Sequence, residues 1–380
     1  MLGERVLLGP GPSLVPPEVS AALSQPMVGH MDPALFPILD ETTRLLREVF
    51  QTQNEVTFPI SGPGTAGMEA ALRHMVAPGE KLVVCTAGFF ADRIAEIARR
   101  FGVETVRVEA PWGRPTDPAD LERALASGPG RGAAVVAAVQ VETSTGVLHP
   151  VRELADVAHA HGAMVLIDAV AGLGGADLPV DAWGLDACYS GSQKCLSAPP
   201  GMAPITVHDR TRGRFSPASF YLDLESLYRY WGPEHAYHHT VPVPLVYAMH
   251  AALRLVVAEG LPARFERHRR HTRALWAGLQ ALGLQLLVDE PHRSPTITTV
   301  RVPDGVDDAR VRGRLIDEYG IEIAGGLGPL QGRIWRIGLM GHSSQMRLVL
   351  TLLAALEAIL ASEGVRIARG VAAAQAAAAG

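Results

Sequence analysis

Lysine is scarce in this chain, and one of its two lysines has the setting of a covalent catalyst. The 380 residues contain lysine only at Lys81 and Lys194. An enzyme that holds a carbonyl cofactor covalently needs a lysine amine. Lys81 opens an apolar run and is typical of a charge in water, whereas Lys194 follows a short predicted strand at 187–190. Because open α/β sheets place their chemistry at strand ends, we predict that Lys194 is the reactive lysine.

An acidic residue is predicted at the same edge of the sheet. Asp168 ends the apolar run 165–167, so its carboxylate should lie at the end of a buried strand. A buried carboxylate needs a cation or hydrogen bonds to remain charged, and a protonated pyridine nitrogen is one such partner. A helix cap or a metal ligand is the alternative. We predict no metal, because no second carboxylate or histidine lies nearby in the sequence.

A glycine-rich loop predicts an anion site. Residues 62–67 match the dinucleotide pattern G-x-G-x-x-G between a strand and a helix. That pattern also requires an acidic residue about 20 positions later, at the end of the next strand. Here the strand ends in Cys85-Thr86-Ala87. A single phosphate at the helix N-terminus, with Thr65 as hydroxyl donor, fits better, and a tight turn without a ligand is the alternative.

Other residues could contribute to this site. Phe89 or Phe90 could stack on a flat ring, although core packing explains either one, and the polar turn 142–146 should lie at the same sheet edge. Arg333 and Arg336 alternate onto opposite faces of a strand, so one of them could bind a substrate carboxylate. The proline-rich segment 7–17 is either a plain linker or an extended arm whose glycines let the backbone approach something small.

The elements that position these residues alternate along the chain, which predicts a mostly parallel sheet wrapped by helices. Strands are predicted at 56–60, 82–85, 103–108, 133–139 and 164–167, and helices at 33–50, 66–75, 91–101, 118–126 and 151–161. A smaller α+β domain follows, with helices at 261–282, 307–319 and 344–362 and strands at 296–301 and 334–338. We predict an N-terminal extended arm (1–20), a large domain (21–260), a small domain (261–366) and a frayed low-complexity tail (367–380).

Composition restricts the class of protein. The chain is 48% hydrophobic, has a net charge of -5 and contains three cysteines without metal-type spacing. The chain has no basic run of the kind that binds nucleic acid. Its apolar runs are shorter than the ~18 residues that span a membrane. We therefore expect a soluble cytoplasmic protein with free thiols, and neither nucleic acid nor a membrane as partner.

Several motifs together resemble the class V, fold-type I pyridoxal-phosphate aminotransferases, in the alanine–glyoxylate / serine–pyruvate branch. The block Ser190-Gly191-Ser192-Gln193-Lys194 with Ala198-Pro199-Pro200-Gly201 is the most specific. It is supported by Leu8-Gly9-Pro10-Gly11-Pro12, Phe220-Tyr221-Leu222-Asp223, Tyr237-His238-His239-Thr240, Gly325-Gly326-Leu327-Gly328 and Arg336-Ile337-Gly338. The resemblance implies an α/β fold with a mostly parallel seven-stranded sheet in the large domain, a smaller C-terminal α+β domain, and pyridoxal 5'-phosphate as cofactor.

The resemblance also implies roles for single residues. Lys194 would hold the cofactor covalently and move the substrate proton, and Asp168 would pair with the pyridine nitrogen. Substrate would be bound by Arg336, at the carboxylate, and by Gly11 and His30. The other implied cofactor ligands are Phe90 on the ring, Thr143 at the phenolic oxygen, Gly64, Thr65 and Gln193 at the phosphate, and Tyr237 and Thr240 from the partner subunit of a homodimer.

The implied reaction is ping-pong transfer of an amino group from alanine or serine to glyoxylate or pyruvate. An (S)-ureidoglycine–glyoxylate aminotransferase is the alternative: residues 193–197 and 334–336 resemble that branch, yet His30 and Tyr237 lie where it has glutamine and asparagine. Pro63 also departs from the pattern, since it replaces the usual serine. A cysteine desulfurase-like lyase is less favoured, because it requires a late nucleophilic cysteine and no cysteine follows Cys195.

Overall fold

The predicted alternation of strands and helices is present in the computed structural model, which describes residues 3–214, 219–368 and 370–379. The strands are β1 (Val6–Leu7), β2 (Val56–Ser61), β3 (Lys81–Thr86), β4 (Glu104–Glu109), β5 (Val135–Val139), β6 (Val141–Glu142), β7 (Val147–Leu148), β8 (Met164–Asp168), β9 (Ala187–Tyr189), β10 (Met202–Val207), β11 (Ile297–Arg301), β12 (Ile321–Glu322), β13 (Ala324–Gly325) and β14 (Ile334–Gly338). The helices are α1 (Pro17–Ala22), α2 (Phe36–Phe50), α3 (Gly64–Met75), α4 (Phe89–Arg100), α5 (Pro118–Ala126), α6 (Val151–Ala160), α7 (Leu224–Trp231), α8 (Val243–Glu259), α9 (Leu261–Ala281), α10 (Asp308–Tyr319), α11 (Met346–Ser362) and α12 (Ala372–Ala379).

A seven-stranded sheet forms the centre of the large domain, as predicted. Its order is β2-β10-β9-β8-β5-β3-β4. All neighbouring pairs are parallel except those of β10, which runs antiparallel to both β2 and β9. The carboxyl ends of β2, β3, β5, β8 and β9 therefore lie at one edge of the sheet, and the loops that follow them carry most of the predicted site.

Helices cover both faces of this sheet, which explains its continuous apolar strands. In β3, Leu82 and Val84 pack into the core on one face, whereas Val83 and Cys85 pack into the core on the other. Successive side chains of a strand point to opposite faces. A strand with helices on both sides is consequently apolar on both faces, as β3 is over residues 82–85.

The small domain has its own core around the antiparallel sheet β11-β14-β13. The chain enters it through Gly260, whose φ of 79° lies in the left-handed region that glycine adopts readily, between α8 and α9. The N-terminal segment joins this domain as well, because β1 pairs in parallel with β12 and Leu8 is buried in the small-domain core. The segment that precedes the first large-domain helix is thus held near the junction of the two domains.

The expectation of a frayed tail is wrong for the stretch that forms α12. Ala372 and Ala376 are buried in the small-domain core. Alanine is the best helix former, and its small side chain permits close packing. At Gly278 of α9, a Cβ would lie within 3 Å of the Leu353 side chain of α11 and 3.1 Å from the Ala372 carbonyl oxygen, so the missing side chain makes room for both α11 and the tail. Met1, Leu2, Arg369 and Gly380 lie outside the described residues.

Among the described residues, no single helix has the length and apolar composition needed to cross a membrane. The helices α8 and α9 meet these two criteria only when taken together, and they are bent by 86° where they meet.

Candidate active site

Lys194 lies in the loop after β9, in contact with the N-terminal segment. Its Nζ donates a hydrogen bond to the Pro10 carbonyl oxygen. Burial lowers the pKa of Lys194 to about 8, because a buried amine is more costly to charge than one in water. Lys81, by contrast, donates to the Pro129 carbonyl at 2.9 Å and lies 3.4 Å from Glu104 at the partly exposed start of β3. Of the two lysines, Lys194 is therefore the one with a readily available neutral amine.

The N-terminal segment is fastened to the loop that carries Lys194. The Ser13 amide donates to the Gln193 carbonyl at 2.8 Å, and the Ser13 hydroxyl donates to the Lys194 carbonyl at 2.8 Å. Gly11, with φ at 106°, passes so close that a Cβ there would lie 2.5 Å from Lys194 Nζ. The segment is thus an arm over the lysine and not a plain linker.

Asp168 ends β8 beside Lys194 and is 2% exposed. Its Oδ1 accepts a hydrogen bond from the Val170 amide at 2.8 Å, and its Oδ2 accepts one from the Tyr189 hydroxyl at 2.8 Å. Burial raises the pKa of Asp168 to about 6, although these two hydrogen bonds oppose the shift. A cation brought against this carboxylate would favour its charged form.

The glycine-rich loop leads directly into α3. The N-cap of α3 is Pro63, which provides no capping hydrogen bond, so the amides of Gly64 and Thr65 in the first turn have no intrahelical acceptor. Gln193 lies on the same cavity, and its buried Oε1 has no hydrogen-bond partner among the described residues. Because a side-chain amide can present its NH₂ group by rotation, these groups together form a set of donors suited to an anion.

Helix α4 is held at its N-terminus by the buried carboxylate of Glu142. This carboxylate accepts from the Phe90 amide at 3.3 Å, the Ala91 amide at 3.2 Å and the Ser144 hydroxyl at 2.6 Å. Burial raises the pKa of Glu142, and these donors act against that shift. Phe90 lines the same cavity as Lys194. The position of this aromatic ring therefore depends on a carboxylate that sequence reasoning placed only in a polar turn.

Arg336 lies in β14, all of whose residues are buried, whereas Arg333 lies in the turn before β14 and is exposed. The two arginines therefore differ in burial, but not by alternation within one strand as the sequence predicted. Arg336 Nε donates to the Gly325 carbonyl at 2.7 Å, and Nη1 donates to the Thr143 carbonyl at 3.3 Å. Burial lowers the pKa of Arg336 to about 10. No carboxylate lies within ion-pair distance of Arg336 in the described chain, so it can accept an anionic ligand.

The predicted site residues fall into two groups. Gly64, Thr65, Phe90, Thr143, Asp168, Gln193 and Lys194 line one cavity. Arg336 and Gly11 adjoin it through Thr143 and Lys194, respectively. Tyr237, Thr240 and His30 do not line it: Tyr237 is 64% exposed, and its ring centroid lies 5.3 Å from that of His30. The three roles predicted for this second group remain predictions.

Cys195 is placed wrongly for nucleophilic chemistry. It is buried, its Sγ lies 3.5 Å from the Ala171 carbonyl oxygen, and burial raises its pKa to about 11. Cys85 and Cys188 are also free and buried. Since the thiolate is the nucleophile, none of the three supports a desulfurase-like lyase. Within the described residues, no group of three or more histidine, cysteine, aspartate or glutamate side chains could hold a metal ion.

The cavity fits pyridoxal phosphate. Four features surround one cavity. They are the Lys194 amine with its lowered pKa, the buried Asp168 carboxylate for a ring nitrogen, the Phe90 side chain, and the uncapped N-terminus of α3 beside the Gln193 side-chain amide, whose Oε1 has no partner among the described residues. Sequence reasoning missed Tyr189, which orients Asp168. It could have been found, because Tyr189 ends β9 in register with Asp168 at the end of β8.

Comparison with known proteins agrees with this chemistry. The family described as aminotransferase class-V matches residues 6–346. The crystal structure of a ureidoglycine–glyoxylate aminotransferase from Bacillus subtilis superposes with a TM-score of 0.96 at 41% identity, covering 100% of this chain and 98% of that one. An alanine–glyoxylate aminotransferase structure from Nostoc sp. gives 0.91 at 42% identity, covering 95% of this chain and 96% of that one. The alanine–glyoxylate aminotransferase of Rattus norvegicus is 39% identical over 350 residues, covering 90% of this chain and 84% of the relative.

Proposed function

We propose that this chain, which belongs to the aminotransferase class-V family, moves an amino group from a small amino acid to glyoxylate by a ping-pong mechanism. The observation that carries the proposal is the Lys194 amine, which adjoins the Asp168 carboxylate in the cavity and the Arg336 guanidinium behind Thr143. Lysine, carboxylate and arginine in this arrangement can provide a covalent anchor, a partner for a ring nitrogen and a clamp for a substrate carboxylate.

The cofactor, when bound, provides the electron-withdrawing ring that makes the substrate Cα proton removable. Asp168, oriented by Tyr189 and Val170, would hold the ring nitrogen, and Phe90 would cover the ring face. Lys194 Nζ would remove the Cα proton and return it, for which a pKa of about 8 is suitable at neutral pH.

Arg336 would fix the substrate by its carboxylate. Its guanidinium already has Nε and Nη1 directed at the Gly325 and Thr143 carbonyls, which hold the side chain in one orientation. Because both the amino donor and glyoxylate carry a carboxylate, one arginine can serve both half-reactions. A bidentate pair also orients the substrate, which a flexible cation such as lysine would do less well.

Three donors are candidates: alanine, serine and ureidoglycine. Ureidoglycine is favoured by the relative from Bacillus subtilis, which superposes over the full length of this chain, and alanine by the relatives from Nostoc sp. and Rattus norvegicus at similar identity. Each donor should be added in turn to the purified enzyme while the visible absorbance of the cofactor is followed. The true donor should bleach the band and glyoxylate should restore it. A band that no donor bleaches would refute the proposed substrates, and Lys194→Ala should show no response.

We further propose a homodimer in which each subunit completes the other's site. Tyr237 and Thr240 are exposed and lie away from their own cavity, and Tyr237 adjoins His30. The same region exposes Phe220 at 77% and Tyr221 at 43%. Exposed aromatic side chains of this kind are typical of surfaces that a partner covers. His30 would then contact substrate in the neighbouring site.

Mixed dimers test this arrangement. Lys194→Ala and Tyr237→Ala subunits are each expected to be impaired alone. If Tyr237 serves the neighbouring site, a mixed dimer restores one complete site, and random mixing recovers about a quarter of the wild-type sites. If Tyr237 serves its own site, mixing restores nothing. The mass of the particle in solution provides the independent check.

For location we propose a reducing compartment, the cytoplasm. The support is that all three cysteines are free and buried, and structural disulfides are rare in such compartments.

A further inference from the structure

Arg93 projects from α4 into the cofactor cavity, where none of the described residues provides a counter-ion. It lines the cavity, and its Nη1 donates to the Thr65 hydroxyl at 3.4 Å. Its guanidinium lies 5.2 Å from the Phe89 ring centroid and 4.9 Å from that of Phe90. In the part of the chain that the structure describes, no carboxylate lies within ion-pair distance of Arg93. The contact with two aromatic rings fixes the position of the guanidinium but leaves its charge unpaired.

The other arginines near Arg93 are neutralised on the surface. Arg99 and Arg100 both pair with Glu96 at 2.9 Å. Asp92, the residue next to Arg93 in the sequence, pairs instead with Arg107 at 2.8 Å. The carboxylates of Asp92 and Glu96 are therefore paired with other arginines, and Arg93 is the arginine of α4 that faces the cavity.

A phosphate group in this cavity requires more positive charge than the predicted ligands provide. A phosphate monoester carries about −1.5 to −2 charges at neutral pH. The donors predicted for it, namely the amides of Gly64 and Thr65, the Thr65 hydroxyl and the Gln193 amide, are all neutral. Pro63 contributes neither an N–H nor a hydroxyl. Of the described residues that line the cavity, only Arg93 and Lys194 are cationic, and Lys194 is assigned to the other end of the cofactor.

We propose that Arg93 binds the cofactor phosphate directly and supplies the positive charge that the loop around Pro63 lacks. Its contact with Thr65 places it over the first turn of α3, where the dipole and the free amides already favour an anion. Arg93 is therefore a determinant of selectivity for the phosphorylated cofactor over its dephosphorylated form. This inference rests on the proposed use of pyridoxal phosphate.

The test compares two ligands that differ only in the phosphate. Cofactor-free wild type, Arg93→Gln and Arg93→Lys are titrated with pyridoxal phosphate and with pyridoxal, and the Kd is measured from the absorbance of the bound ligand. A hydrogen bond to a charged group contributes enough that Arg93→Gln should weaken pyridoxal phosphate about 10- to 100-fold. Binding of pyridoxal should change by less than about twofold, and Arg93→Lys should lie between the two. Arg100→Gln on the exposed face of the same helix is the matched control and should change neither Kd.

The possible outcomes distinguish the role of Arg93 from the transaminase proposal and from the cofactor assignment. Equal weakening of both ligands by Arg93→Gln would overturn the inference, because the residue would then act only through the position of Phe90. An unchanged Kd for pyridoxal phosphate would overturn it as well, while leaving the transaminase proposal intact. A wild-type protein that bound neither ligand would overturn the cofactor assignment itself. If Arg93→Gln proves insoluble, the ratio of the two Kd values in Arg93→Lys decides, since loss of the planar fork should affect only the phosphorylated ligand.

Discussion

Replacing Gly11 with alanine would place a methyl group against the reactive amine. The added Cβ would lie 2.5 Å from Lys194 Nζ and 2.6 Å from Lys194 Cδ. Since non-bonded heavy atoms prefer a separation of about 3.5 Å, either the lysine or the arm must move by roughly 1 Å. The arm cannot yield easily, because Ser13 is hydrogen-bonded to the backbone at both Gln193 and Lys194. The displacement should therefore fall on the lysine side chain.

The size of the effect follows from this displacement. A misplacement of about 1 Å in a reacting group can cost about 10²-fold in rate, or roughly 2.7 kcal/mol in the barrier. Alanine at the Gly11 φ of 106° also adds backbone strain, on the order of 1–2 kcal/mol. The strain lowers the free energy of unfolding, whereas the displacement lowers kcat, so the two contributions appear in different measurements.

The assay is kcat for glyoxylate-dependent transamination, normalised to bound cofactor, together with the thermal unfolding midpoint. Gly9→Ala is the matched control, because a Cβ there meets nothing nearer than the Ala324 amide nitrogen at 4.0 Å. We expect Gly11→Ala to lose about 10²-fold in kcat while Gly9→Ala stays within about twofold of wild type. A folded Gly11→Ala enzyme with nearly wild-type kcat would refute the argument, as would an equal loss in both variants.

Three further predictions address the pKa of Lys194, the clamp for the carboxylate and the support of α4. Because only the neutral amine reacts, the rate at which cofactor-free enzyme takes up pyridoxal should rise with pH through a midpoint near 8; a midpoint near the ordinary lysine value of 10.5 would contradict the effect of burial. Arg336→Gln should lower kcat/KM for the amino donor about 10²-fold, through loss of charged hydrogen bonds, and leave the Kd for pyridoxal phosphate unchanged. Arg333→Gln in the exposed turn before β14 is the control, and equal effects would contradict the assignment. Glu142→Gln should lower the unfolding midpoint by several degrees, because its NH₂ group cannot accept from the Ala91 amide and a buried unsatisfied donor costs about 1–3 kcal/mol; an unchanged midpoint would show that this carboxylate contributes little to holding α4.

The sequence allowed Lys194 and Asp168 to be predicted because both follow short apolar strands, and the ends of parallel strands meet at one edge. It could not predict contacts between segments far apart in the chain. The hydrogen bond from Lys194 to the Pro10 carbonyl joins residues 184 positions apart, and no local pattern records it. The direction of β10, which is antiparallel to both of its neighbours, was not predicted either. Nothing in the composition of this strand indicates its direction.

Arg93 shows a second limit, because the sequence does not indicate which charged residues of a helix face a cavity. On α4, helical periodicity separates an apolar face from a charged face, and Arg93 belongs by type to the charged one. Whether such a residue finds an ion-pair partner depends on the charges that neighbouring elements supply, and here Arg107 of β4 pairs with Asp92. The tail was also misjudged, because its packing against α9 involves Gly278, which is remote in the sequence and has no side chain to obstruct Ala372.

The balance of buried charge around the site explains why one cavity suits both the cofactor and the substrate. Glu142 already accepts hydrogen bonds from the amides at the start of α4 and from Ser144, so its carboxylate is satisfied within the protein. Asp168 has hydrogen bonds but no adjoining guanidinium, and its raised pKa means that a cationic ring nitrogen would stabilise its charged form. Arg93 and Arg336 are the opposite case, because neither guanidinium group has a carboxylate within ion-pair distance among the described residues. A ligand set with one positive ring and two anionic ends neutralises all three, and a cofactor phosphate together with a substrate carboxylate meets that requirement.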